Sequence, residues 1–161
     1  MVYNLALQYV QDAEDAEEIA QDVFVAVYHM MDSFRGESSL ATWIYRITIN
    51  KSLDCLKARK RKKRFAYITA IFYRDNNELN IDTPTFNHPG VMLEDKEALQ
   101  QLFILINDLS ENQRTVLILS KVEQKSQAEI AEIMSISVKA VESLLQRAKY
   151  NLLKKINKQS D

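Results

Sequence analysis

The chain has 161 residues, 47% of them apolar, and a formal net charge of −1. This length suits one domain or two small ones, and the scarcity of glycine, proline and strand-like alternation favours an all-α fold. A single cysteine, Cys55, excludes an intramolecular disulfide framework and fits a reducing compartment such as the cytoplasm. No apolar run reaches membrane-spanning length and no signal peptide opens the chain, so we expect no membrane insertion.

The first part of the chain predicts three helices. Residues 3–10 form an apolar helix, and a second helix follows over about 13–31, capped by an acid such as Asp12. Its inner face carries apolar residues at spacings of four, four and three: Ile19, Val23, Val27 and Met30. A polar loop over 32–39 then leads to a long helix that begins near Leu40.

The middle of the chain predicts a domain boundary. Residues 65–73, FAYITAIFY, either continue the long helix or form a packed linker segment. Residues 74–90 hold both prolines and many turn formers. We therefore expect two small helical domains, over 1–64 and 94–161, joined by a linker over 65–93.

The second domain begins with two predicted helices. An amphipathic helix starts near Glu94, and the next helix opens with a capping box made by Ser110 and Gln113. Residues 126–149, SQAEIAEIMSISVKAVESLLQRAK, then form two short helices with a sharp turn between them. Ser126 and Glu129 give the first of these a capping box, and a serine caps the second.

The last helix has two contrasting faces. Its buried stripe comprises Val141, Leu145, Ala148 and Leu152. Its outward face comprises Lys139, Glu142, Ser143, Gln146 and Lys149. This pattern is typical of a helix-turn-helix, whose second helix enters the major groove of DNA. The alternative is an ordinary helical hairpin with a solvated outer face.

No catalytic, metal-binding or cofactor-binding constellation stands out, so we expect neither an enzyme nor a cofactor. His29 and His88 lie far apart and lack metal-ligand spacing, and Cys55 has no CxxC partner. Gly36 lacks the companions of a phosphate-cradling loop. Acids crowd residues 12–22, which indicates a solvated helix face or a protein-docking surface.

Charge and aromatic residues suggest two surfaces with different partners. Residues 12–37 contain eight carboxylates and one arginine, whereas seven of the eight residues of the basic cluster, KARKRKKR at 57–64, are cationic. That cluster can neutralise phosphates, through Lys57, Arg59 and Lys60 among others, or it is a solvated helix end. The nearby aromatics Phe34 and Trp43 can stack on unpaired bases, or Trp43 packs in the core.

Several motifs together resemble the extracytoplasmic-function (ECF) group of bacterial RNA polymerase sigma-70 factors. The matching stretches are DAEDAEEIAQDVF at 12–24, FRGESSLATWIYRITIN at 34–50, the basic cluster, and residues 109–149. The resemblance implies an initiation factor that binds core RNA polymerase and promoter DNA. It also implies control by an anti-sigma factor that covers both domains.

The resemblance assigns three groups of residues. Those that would dock on the clamp helices of the largest polymerase subunit are Gln21, Asp22 and Phe24. Those that would capture and melt the minus-ten element are Phe34, Arg35, Ser38, Ser39, Trp43 and Asn50, to which the basic cluster adds Lys57, Arg59 and Lys60. Those that would read the minus-thirty-five element are Ser137, Lys139, Glu142, Ser143, Gln146, Arg147 and Lys149.

The sequence departs from the family pattern in two places. The family's first domain has some two dozen more residues before the point where this chain begins, so we expect a fragment, a mis-assigned start or a shortened first domain. Ser135 replaces the turn glycine, and Glu142 and Leu144 stand where basic residues are frequent, so the preferred minus-thirty-five sequence does not carry over. The alternative function is that of a helix-turn-helix regulator acting by duplex binding alone, and a helical adaptor is a third possibility.

Overall fold

A computed structural model of the protein describes residues 1–72, here called the first half, and 101–159, the second half. In the first half α1 is Val2–Val10, α2 is Ala13–Met30, a 3-10 turn covers Met31–Ser33, and α3 is Leu40–Phe72. In the second half α4 covers 101–107, α5 is Glu111–Leu117, a π-helical turn covers Ile118–Val122, α6 is Gln127–Met134 and α7 is Val138–Gln159. No strand occurs within these two described ranges, and the predicted all-α fold is confirmed.

Helix α1 is the buried centre of the first half. It lies against both α2 and α3, and Leu5, Ala6 and Tyr9 have no exposed surface. The cap predicted for α2 is present, because Asp12 Oδ1 accepts a hydrogen bond of 2.9 Å from the Asp15 backbone N–H. Helix α3 continues through Phe72, so residues 65–72 extend the helix, which is the first of the two alternatives.

The prediction that Met30 belongs to the inner face of α2 is wrong, because its side chain is exposed. Helices α1 and α2 run antiparallel from the tight turn at residues 11–12, and α1 has only nine residues against eighteen in α2. At 1.5 Å per residue α1 covers about half the length of α2. The last turn of α2 therefore extends beyond the core that α1 provides.

The helix starts of the second half are only partly as predicted. The Ser126 capping box is present, with Glu129 N–H donating to Ser126 Oγ at 3.3 Å and Ser126 N–H donating to Glu129 Oε2 at 2.9 Å. The Ser126 N–H and the Ser126 hydroxyl both donate to Glu129 Oε2 and lower the pKa of that carboxyl to about 2. The capping box predicted at Ser110 is wrong, since that side chain makes no cap bond. Gln113 instead accepts a hydrogen bond of 3.0 Å from Asn151 of α7. The predicted helix start near Glu94 lies outside the described residues.

The turn between α6 and α7 requires a left-handed residue, and Ser135 adopts φ 56° there. Its N–H donates to Glu132 O at 3.2 Å and the next N–H, of Ile136, donates to Ala131 O at 3.0 Å, which closes the end of α6. A residue with a Cβ is strained in this conformation, whereas glycine adopts it freely.

We therefore expect Ser135→Gly to raise the free energy of unfolding by about 0.5–1 kcal/mol, the size seen when backbone strain is relieved at one site. Chemical denaturation followed by circular dichroism measures the change. Ser137→Gly is the matched control, because Ser137 caps α7 through a 3.2 Å bond from the Ala140 N–H and its loss should not stabilise. A destabilised Ser135→Gly variant would contradict this account of the turn.

The buried core of the described residues runs through both halves. Ile118, Ile130 and Val141 belong to the same apolar cluster as Leu5 and Val23. Between the helices of the two halves the main packing is that of α3 on α6. The domain boundaries predicted from the sequence remain predictions.

Candidate polymerase and nucleic-acid interface

The outer stripe of α2 is apolar and exposed. Phe24 and Tyr28 expose 62% and 80% of their surface, and Val25 between them exposes 56%. With Gln21 they occupy positions i, i+3, i+4 and i+7, so all four share one face of the helix. A face of this kind on a helix whose other side is already buried is a candidate docking surface. Sequence reasoning found Gln21 and Phe24 but missed Val25 and Tyr28, which the same spacing would have given.

Asp22 lies beside this stripe and is paired within the first half. Its carboxylate Oδ2 lies 3.0 Å from Lys51 Nζ of α3, and both side chains are largely exposed. An exposed pair of this kind contributes at most about 1 kcal/mol to stability. Asp22 therefore remains available to an external cation.

An aromatic pair closes the loop before α3. The rings of Phe34 and Trp43 lie 5.1 Å apart between centroids, at an angle of 43°. Both side chains are half-buried, so Trp43 packs on the loop and is still partly open to solvent. Ser39 caps α3 by accepting a 3.0 Å bond from the Thr42 N–H. Among the other predicted loop residues Arg35 is exposed and Ser38 is half-buried.

One stripe of α3 carries three of the nine predicted minus-ten residues. Trp43, Asn50 and Lys57 are spaced by seven residues, which places them on one face at intervals of about 10.5 Å. Asn50 and Lys60 are exposed, and Lys57 pairs with Asp54 at 3.9 Å and with Glu111 of α5 at 3.3 Å. The structure thus brings the aromatic pair, an amide and the start of the basic cluster onto one surface.

Arg59 departs from this stripe and points to the inside of the first half. Its guanidinium forms ion pairs with Asp15 and, at 3.7 Å, with Asp12, and it donates to Val10 O at 3.0 Å. Asp15 Oδ2 also accepts a 3.2 Å hydrogen bond from the Cys55 thiol, and burial together with this bond raises the pKa of that thiol to about 11. The geometry gives Arg59 a role in holding three helices together, and its contact with DNA remains a prediction.

The outer face of α7 is open as expected. Val141, Leu145 and Ala148 are buried, while the predicted readers Lys139, Glu142, Gln146 and Lys149 are exposed. Two serines of the predicted set have internal partners. Ser137 caps the helix, and Ser143 Oγ accepts a 2.8 Å hydrogen bond from exposed Arg147. The charged and amide side chains are therefore better placed than the serines to reach base edges.

Two kinds of site are absent from the part of the chain that the structure describes. No three His, Cys, Asp or Glu residues gather as ligands for a metal ion there. None of the helices within 1–72 and 101–159 is long and apolar enough to cross a membrane. His29 is exposed and contacts the Tyr28 ring edge-on, whereas His88 lies outside the described residues.

The described residues form a helical protein with one exposed apolar face on α2 and two candidate nucleic-acid faces, on α3 and α7. The family profiles agree with this class, because Sigma-70 region 2 matches residues 1–63 and Sigma-70 region 4 matches residues 99–152. The chain belongs to the sigma-70 family of RNA polymerase initiation factors, in the ECF group. Sigma factors are non-enzymatic, and they bind core RNA polymerase and direct promoter recognition.

Individual relatives cover nearly the whole chain. The RNA polymerase sigma-H factor of Pseudomonas aeruginosa is 34% identical over 92% of this chain and 76% of its own length. The ECF RNA polymerase sigma-E factor of Escherichia coli is 32% identical over 92% of this chain and 76% of its own length. The fold is similar to that of the sigma factor RpoE from Bartonella quintana, solved with the anti-sigma factor NepR, at a TM-score of 0.63 and 22% identity over 97% of this chain and 89% of that one. It is also similar to CnrH, solved with the cytosolic domain of CnrY. The TM-score is 0.64 and the identity 23%, and the match covers 97% of this chain and 80% of CnrH.

Proposed function

We propose that the three exposed surfaces divide the work of initiation among them. The outer stripe of α2 docks on the clamp helices of core polymerase. The loop at 34–39 and the α3 stripe capture and melt the minus-ten element, and the outer face of α7 reads the minus-thirty-five element. The observation that carries this division is the Phe34–Trp43 pair, which lies on one exposed surface with Asn50. An aromatic platform beside a two-sided amide suits an unpaired base.

Two further parts of the proposal concern where and with what the chain acts. We place it in the cytoplasm, with RNA polymerase. An anti-sigma factor is its expected regulator, since RpoE was solved with the anti-sigma factor NepR and CnrH with the cytosolic domain of CnrY. Regulation by duplex binding alone is not favoured, because it leaves the Sigma-70 region 2 match over residues 1–63 without a use.

Transcription from a promoter library tests the division of roles. Core polymerase reconstituted with this chain should transcribe a subset of templates randomised at both elements, and sequencing the transcribed templates gives one consensus for each element. We expect Glu142→Lys to change the minus-thirty-five consensus only. Glu142 is exposed on α7, where a carboxylate can accept from cytosine and a lysine cannot, at a cost of about 1–3 kcal/mol for a lost base contact.

Glu132→Gln is the matched control, because it removes an exposed carboxylate from α6 and leaves α7 unchanged. It should leave both consensus sequences as they are. If Glu142→Lys selects the wild-type minus-thirty-five sequence, Glu142 reads no base. If the wild-type chain gives no promoter-dependent transcript, the proposed function itself fails.

A further inference from the structure

Lys51 of α3 is bound to the helix that carries the exposed apolar face. Its ammonium Nζ lies 3.0 Å from Asp22 Oδ2 of α2, where it forms both a hydrogen bond and an ion pair. The two side chains are 41% and 57% exposed, so a partner can reach both of them. The contact therefore joins a residue beside the outer stripe of α2 to a residue of the helix that carries the α3 stripe.

The position of Lys51 suits a phosphate of the minus-ten strand. It directly follows Asn50, and it lies eight residues after Trp43, which turns it by about 80° from that side chain around the helix. A lysine has a flexible four-carbon stem, so its ammonium can swing from the flank of the α3 stripe towards a strand bound on it. Six residues separate Lys51 from the start of the basic cluster at Lys57, so its charge serves a different part of the strand.

The position of Asp22 suits a cation of the docking partner. Helix α2 has no lysine or arginine between Ala13 and Met30, and it carries five carboxylates in its first ten residues: Glu14, Asp15, Glu17, Glu18 and Asp22. Electrostatic complementarity favours a partner that brings positive charge to such a helix. A partner cation that reaches Asp22 competes with Lys51 for the same carboxylate.

We propose that Lys51 binds a phosphate of the minus-ten strand and that Asp22 holds it back until α2 docks on core polymerase. The inference rests on the proposed function, in which α2 docks and α3 captures the strand. A polymerase cation neutralises the Asp22 carboxylate, and Lys51 then exchanges this carboxylate for a phosphate. Because the two sites share one ion pair, binding at either strengthens binding at the other by the same factor.

The exposure of the pair sets the size of this coupling. An exposed lysine–carboxylate pair changes an equilibrium constant by about fivefold at most. We therefore expect docking to strengthen strand binding in graded fashion through this pair, by about two- to fivefold.

Acetylation of Lys51, followed by mass spectrometry, reports on the pair in the free chain. An ammonium held by a carboxylate is less available to the reagent than a free lysine, so Asp22→Asn should raise the rate at Lys51 by about two- to fivefold. Lys121, an exposed lysine of the second half, supplies the internal reference and should react at the same rate in both chains.

Fluorescence anisotropy measures strand binding. The probe is a labelled single strand that carries the minus-ten consensus selected from the promoter library. With saturating core polymerase, Lys51→Gln should weaken binding about fivefold and lower the slope of log affinity against log salt by about 0.7, the value for one phosphate contact on a single strand. In the free chain the same change should have no effect, because Asp22 already holds the ammonium.

A double variant separates the pair from net charge. Asp22→Asn should strengthen strand binding by the free chain about two- to fivefold when Lys51 is present, and it should have no effect in a Lys51→Gln chain. Glu132→Gln removes the same charge from exposed α6 and is the matched control, with wild-type strand affinity and wild-type acetylation of Lys51. Circular dichroism checks that each variant retains its helix content.

Equal strand affinity of wild type and Lys51→Gln with core polymerase would overturn the phosphate contact. An equal loss in the free chain and with core polymerase would show that docking does not control Lys51, and the coupling would fail. An equal gain from Asp22→Asn in both backgrounds would reduce the effect to net charge and would also overturn it. If no chain with core polymerase binds the strand, the proposed function fails, whereas equal acetylation of Lys51 in wild type and Asp22→Asn refutes the pair itself.

Discussion

Phe34→Ala and Asn50→Ala are expected to stop promoter opening without preventing polymerase binding. Phe34 packs on Trp43 at 5.1 Å between ring centroids, and Asn50 is exposed two turns further along α3. Stacking on an aromatic contributes about 1–3 kcal/mol per base, and extruding a paired base costs a few kcal/mol. These opposing free energies nearly balance, so the loss of one contact should lower the fraction of opened promoter by about ten- to a hundred-fold.

Permanganate reactivity of unpaired thymines measures the opening. Both variants should bind core polymerase with wild-type affinity and form a closed complex, and a template with a pre-melted minus-ten bubble should restore most of the transcription. Glu37→Gln, a change at another exposed position of the same loop, is the control. Wild-type reactivity of both alanine variants on duplex promoter would remove this surface from melting.

Phe24→Ala and Tyr28→Ala are expected to weaken binding to core polymerase by about 2 kcal/mol or more each, which is about thirty-fold. Exposed aromatics that become buried at the centre of an interface carry much of its binding free energy. Their truncation should not lower the stability of the chain, because both side chains already lie in solvent, with 62% and 80% of their surface exposed.

Fluorescence anisotropy with labelled chain and purified core polymerase gives the affinities. Tyr150→Ala is the matched control, because this tyrosine of α7 is 68% exposed and lies far from α2 in the sequence. We expect it to bind core polymerase as wild type does. Equal losses in Tyr150→Ala and Tyr28→Ala would point to a general effect of removing exposed aromatics, and unchanged binding of Phe24→Ala would place the docking surface elsewhere.

Local signals in the sequence predicted the helices well. Asp12 and Ser126 cap the helices they were expected to cap, since a side-chain cap depends on residues within one turn. The capping box expected at Ser110 failed for a non-local reason, because Gln113 bonds to Asn151, thirty-eight residues away. Periodicity gave the buried face of α7 correctly, but it could not show that Met30 lies beyond the reach of α1.

The functional surfaces were predictable only in part. Arg59 stands in the basic cluster, and a count of charges cannot distinguish a free cation from one that is paired. Its partners, Asp12 and Asp15, come from another helix. The contacts of Glu123 were equally hidden, since Gln8 precedes it by 115 residues and Tyr45 by 78. Such long-range contacts leave no trace in local spacing.

The π-helical turn at Ile118–Val122 sets the direction of Glu123, the residue that directly follows it. There the Glu123 N–H donates to Ile118 O at 3.0 Å, five residues back, and not four as in an α-helix. The extra residue in this turn shifts the residue that ends the helix by roughly 100° about the helix axis. A single inserted residue therefore decides the direction in which Glu123 leaves the helix, where its carboxylate accepts a 2.7 Å hydrogen bond from the Tyr45 hydroxyl.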